Sequence, residues 1–182
     1  MPRLTKEEKD QVRSLEGKSL QDIVMKLMSK DKFAYDFVIA NYLDKQQGEN
    51  DLFEMAKEDL DILAMRSYRG FSEQLQIANM LGACVKRIDE FTKVSKNKAM
   101  EADLLMHVLK VPFGLPVDMF GTCFTQYDYK VAMLVKRLVT IITKKLHEDY
   151  QMDYRDTVNR YLNILHQHAG HIDMVHKMPK AI

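Results

Sequence analysis

Four of the six histidines in this chain, His166, His168, His171 and His176, fall within eleven residues of LHQHAGHIDMVHKMPKAI. Grouped imidazoles can ligate zinc or iron, or move protons near neutral pH, if their ring nitrogens converge on one point. On a helix, convergence requires a spacing of three or four residues. Only His168 and His171 have it; His166 lies two positions before His168, so those two point to opposite sides. His168 continues the apolar stripe of Tyr154, Val158, Tyr161, Leu165 and Ile172, which predicts a histidine at the edge of the core. His166 shares the other face with Asp173 and Lys177 and is expected in solvent. A metal centre would need His168 and His171 plus a ligand from elsewhere, such as Asp173, His107 or His147. With no HExxH motif and no Glu-x-x-His pair, the favoured reading is a helix end whose positive charge suits the dipole. No cofactor is expected.

The two cysteines differ in setting. Cys84 is centred on an apolar stripe and is expected to be an inert, small hydrophobe. Cys123, in FGTCFTQ, follows a glycine just before a helix, where backbone N–H groups can stabilise a thiolate. Its flanking Phe120 and Phe124 favour packing over reactivity, and nothing in the spacing brings His107 or His147 to it as a base. Phosphate chemistry has no P-loop and no Gly-x-Gly-x-x-Gly. Arg66 and Arg69 beside Tyr68, with Lys86 and Arg87, form the one candidate spot for an anion or a nucleic-acid backbone. Useful affinity for a polyanion needs about six or more aligned contacts, so nucleic acid is a disfavoured partner.

The elements that must position these residues are helical. Glycine and proline are scarce, at 7 and 4 in 182 residues, and apolar residues recur at helical spacing almost throughout. Ser19 and Asp31 are expected N-caps of two short helices, behind a helical lead over residues 5–15, with KQQGEND as the polar exit. A third segment has Asp51 and Glu54 at capping-box spacing and ends at RGFS; Ser72 then caps EQLQIANMLGACVKRIDEFTKV. A helix over residues 99–110 is expected to stop before Pro112, because a proline pushes its predecessor out of helical geometry. YDYKVAMLVKRLVTIITKKLHEDY is apolar over nearly half its circumference and is expected to be the central helix. A last long helix covers MDYRDTVNRYLNILHQHAG, with Gly170 as its stop. The fold class is thus all-α, an irregular array of antiparallel α-hairpins wound into an α-α superhelix or closed into a multi-helix bundle. One domain over residues 1–182 is expected, with 1–15 loosely attached and 177–182 as a tail.

Between two of these helices, residues 111–126 (VPFGLPVDMFGTCFTQ) carry an apolar load unusual for a long connection. Leu115, Val117, Met119 and Phe120 must either plug the hollow of the array or form a patch that another chain covers. The 13 methionines suit either an irregular core or an adaptable binding surface.

The bulk numbers narrow the classes further. A formal charge of +1 removes any global attraction to nucleic acid or anionic membrane. Two cysteines outside any CxxC pair imply a reducing compartment. No apolar run resembles a signal peptide or reaches the ~18 residues of a membrane span, so a cytoplasmic protein without a membrane role is expected. The function expected is a non-enzymatic helical interaction or scaffold module, its partner another protein or a second copy. The alternative is a metal-dependent or other small-molecule enzyme with its site inside the bundle.

Overall fold

A computed structural model of the chain describes residues 4–182, the side chain of Gln46 aside, as nine α-helices with no strand among the described residues. These are α1 (Lys6–Arg13), α2 (Gly17–Lys30), α3 (Lys32–Val38), α4 (Lys45–Met65), α5 (Glu73–Val94), α6 (Lys98–Gly114), α7 (Thr125–Lys145), α8 (Glu148–His168) and α9 (Asp173–His176). About 80% of the chain is helical, and the all-α hairpin array expected from the periodicity is what forms. The chain divides after Glu49 into two compact units, the division falling in the first turns of α4.

In the first unit, Thr5 and Glu8 form a reciprocal capping box at the head of α1. Asp31 caps α3 as expected, its Oδ1 accepting from the Phe33 N–H at 2.8 Å. Ser19 does not cap α2. The backbone leaves extended geometry at Glu16, so the helix starts at Gly17 and Ser19 lies inside it. KQQGEND is not an exit either. After α3 a wide π-type turn over Ile39–Leu43 closes with Asp44 N–H on the Ile39 carbonyl at 2.9 Å, and α4 runs on from Lys45. Gly48 makes this possible, since a Cβ there would lie 2.9 Å from Ile39 Cγ2 and 3.3 Å from Ala40 Cα. Asp51 and Glu54, read as a capping box, are therefore interior to α4, while Asp44 Oδ1 accepts from the Gln47 N–H at 3.1 Å.

The second unit holds the core. Buried side chains of α5 (Leu81, Cys84, Ile88), α6 (Leu104, Leu105, Leu109) and α8 (Val158, Leu162, Leu165) surround α7, and Ala56 and Leu60 of α4 join the same core. The wide arc of α7 is used: it packs against α5, α6, α8 and α9, burying residues from Val131 to Ile142 on several sides. Ser72 caps α5 through the Leu75 N–H.

Helix α6 does not stop before Pro112 but passes through it to Gly114. A proline inside a helix loses one hydrogen bond and crowds the preceding turn, at a cost of ~3 kcal/mol or more. Pro112 is buried, its carbonyl accepts from Tyr127 Oη at 3.3 Å, and the next residue, Phe113, stacks on Tyr161 at 3.9 Å between centroids and 10° between planes. Tertiary packing thus offsets a local penalty. After α8 the chain turns back: Val175 and Met178 enter the core, Asn159 pairs with both the N–H and the carbonyl of Ile182, and Arg155 Nε donates to the same carbonyl at 3.0 Å.

Candidate functional site

The imidazoles do not gather. Two of them are instead paired, each with a carboxylate from a different helix: His107 with Asp61 and His171 with Asp128. His107 Nε2 lies 2.6 Å from Asp61 Oδ1, joining α6 to α4. His171 Nε2, in the turn between α8 and α9, lies 3.1 Å from Asp128 Oδ2 in the first turn of α7. An ionised carboxylate only accepts hydrogen bonds, so Nε2 is the donor in each pair whenever its carboxylate is charged. In a neutral ring this leaves Nδ1 as the outward acceptor.

The other histidines do separate work. His166 Nε2 lies 3.2 Å from the Pro179 carbonyl, and His147 caps α8 through the Asp149 N–H. His168, expected at the core's edge, is exposed; Ala169, fully buried, takes the next place on the stripe as α8 ends. His166, expected in solvent, is partly covered by the returning chain. His168 and His171 find no third ligand: no group of three or more His, Cys, Asp or Glu side chains among the described residues is placed to hold a metal.

Asp128 is the most constrained polar side chain of the second unit. It is fully buried, its Oδ2 accepts from the Gly121 N–H at 3.2 Å as well as from His171, and its Oδ1 has no partner. Burial pushes its carboxyl above the usual range, against the opposing pull of the Gly121 N–H and His171. A raised value in the folded state means that the protonated form is favoured by folding. Its contribution is present below the ordinary carboxylate range and is lost as pH rises through the raised value. Asp128→Asn keeps an oxygen for Gly121 and carries no charge to bury. Urea titrations of both proteins should show the variant gaining on wild type as pH rises from 4 to 7. A constant difference across that range would disprove the assignment.

The apolar connection resolves into core and surface. Met119 and Phe120 are buried and Leu115 packs on the core, with Phe120 beside Tyr127 at 5.1 Å and Phe113 at 5.7 Å. Buried side chains present nothing to another chain; of the four, Val117 alone is well exposed, at 47%. Of the four cations, Arg66, Arg69 and Lys86 are exposed, while Arg87 Nε is held by Asp59 Oδ2 at 2.7 Å. Cys123 is exposed and Cys84 buried, where burial pushes its thiol up to about 11 and keeps it protonated.

Neither Asp61 nor Asp128 is among the residues that motifs or spacing single out. Asp128 had a signal: it stands at the head of the stripe Val131, Val135, Leu138 and Ile142, so a helical register carries it to the inner face. Asp61 had none, being one acid among several on α4. No family model, no curated protein and no solved structure matches this chain.

Proposed function

We propose that the chain is a non-enzymatic protein-interaction module whose first helical unit docks on a protein surface, in the simplest case that of a second copy. One observation supports this reading. Among described residues 4–49, Ala40 and Gly48 alone are buried, whereas Val24, Leu27, Phe33, Tyr35, Tyr42 and Leu43 are all exposed. Helices this short are marginal in water without an apolar face to bury, and a unit spanning residues 1–49 is small enough that a single core rarely supplies more than about 3–5 kcal/mol. The row Phe33, Phe37 and Tyr42, with centroids 6.1 and 6.0 Å apart, offers the low-entropy aromatic anchors that dominate interface energetics.

Light scattering and lysine cross-linking test the proposal on the full chain. Expected are a mass above that of one chain, or a stoichiometric protein partner, with intermolecular cross-links from Lys26 and Lys30. The double variant Leu27→Glu, Phe33→Glu should lose them and behave as a monomer while keeping the helicity of residues 50–182. A monomer with only intramolecular cross-links, indistinguishable from its double variant, sinks the idea.

A further inference from the structure

A second feature, independent of the docking unit, lies between α4, α5 and α6. A cavity of about 200 Å³ is walled by Leu60 and Ala64 of α4, Met80 and Cys84 of α5, and Val108 and Val111 of α6. Its only polar groups are Asp61, His107 and Lys110. Leu60, Met80, Cys84 and Val108 are buried while Asp61, Ala64 and Lys110 are exposed, so the polar groups stand at the mouth and the floor is apolar.

The geometry points to a binding site for a small, neutral, single-ring or indole-sized aromatic molecule carrying one O–H or N–H donor. The volume sets the size: an apolar protein cavity of about 150 Å³ stays dry and takes up benzene. The walls set the ring. Met80 Sδ and Cys84 Sγ, 3.6 Å apart, present adjacent polarisable sulfurs, and sulfur contacts with aromatic rings are favourable. No aromatic residue of the protein lines the space.

The mouth sets the head group and the charge. Asp61 and Lys110 carry opposite charges, so the rim offers no single sign of charge to draw in an ion. An ionic ligand would have to leave water for apolar walls without compensation. With His107 Nε2 donating to Asp61 Oδ1, a neutral ring keeps Nδ1 as its acceptor, and the carboxylate has a second accepting oxygen. A hydroxyl or ring N–H therefore finds an acceptor there.

Phenol and indole are the probes, followed by the Met80 methyl resonance of the full-length protein. Both should shift that signal saturably. Toluene, which lacks the donor, should bind about fivefold more weakly, and benzoate and benzylammonium at least about tenfold more weakly. Ala64→Phe, at an exposed helix position that can cap the mouth without disturbing the core, should weaken phenol binding at least about tenfold with helicity unchanged. His107→Phe, which leaves the Asp61 carboxylate as an acceptor, should narrow the gap between phenol and toluene without closing it. The proposal is overturned by silence at Met80 with every probe up to about 5 mM, by shifts that Ala64→Phe leaves intact, or by preference for a charged probe. None of these outcomes bears on self-association through the first unit, which is read by mass and cross-linking.

Discussion

Arg137→Met is expected to destabilise the folded protein by about 3 kcal/mol at neutral pH, near the low end of what breaking a buried ion pair costs. Glu101 is the reason. Its side chain is only 5% exposed, and it sits between Lys98, whose Nζ lies 2.6 Å from Oε2, and Arg137, whose Nε and Nη2 lie 2.9 and 2.8 Å from Oε1. Arg137 also reaches Asp89 at 2.6 Å, so one guanidinium ties α7 to α6 and α5. Removing it leaves a buried carboxylate with Lys98 as its remaining cation, which keeps the penalty from growing larger.

The pH dependence has a definite sign. Burial alone would raise the Glu101 carboxyl, but the hydrogen bonds and charges of Lys98 and Arg137 outweigh it and hold the group below its usual range. Stability from a depressed carboxylate is present above the unfolded value and is lost as pH falls through the folded one. The gap between wild type and Arg137→Met should therefore be full at neutral pH and shrink toward about pH 4 and below. Adding Glu101→Leu should recover most of the loss, because the penalty arises from the stranded charge. Urea unfolding of the three variants at two pH values measures all of this. A double variant as unstable as the single one would show that packing of the Arg137 stem, not the charge, was lost.

Gly121→Ala is expected to cost about 2–4 kcal/mol, summing a left-handed backbone penalty of about 1–2 kcal/mol and a comparable overpacking term. Gly121 has φ +72°, and a Cβ on it would lie 2.8 Å from the backbone oxygen of His168, at the last turn of α8. That oxygen belongs to a helix end and cannot retreat without disturbing α8. Any shift of the loop also draws the Gly121 N–H away from Asp128, whose other oxygen is already unpartnered. For a chain of this size the loss corresponds to a melting temperature lower by very roughly 5–15 °C. Gly170→Ala is the control. Its Cβ would meet only the His166 carbonyl at 3.7 Å, an ordinary contact, and its φ is not left-handed. Near-equal melting temperatures for the two variants would remove the close approach as the cause.

These two glycines show how far sequence reasoning reaches. Both stood in plausible turn or stop positions, and nothing local separated them. What does is a contact with a residue 47 positions away, His168 over Gly121, which no pattern along the chain reports. The same holds for Pro112. Local rules end a helix there, and the stacking of Phe113 on Tyr161 carries it on. Asp61 and Asp128 illustrate two grades of legibility. Asp128 stood on an apolar register and was within reach of a helical-face argument, whereas Asp61 gained meaning only when α6 placed His107 beside it.

The sequence by itself determined the helical class, the caps at Asp31 and Ser72, the apolar arc that makes α7 central, and the separation of His166 from His168. Each follows from spacing within a turn or two, where helix geometry is the same in any fold. Only the tertiary structure decided which histidines meet carboxylates, that residues 119 and 120 lie in the core, and that one guanidinium holds three helices. Those outcomes depend on which helices become neighbours, and that is settled by the packing of whole faces against one another rather than by any short stretch of residues.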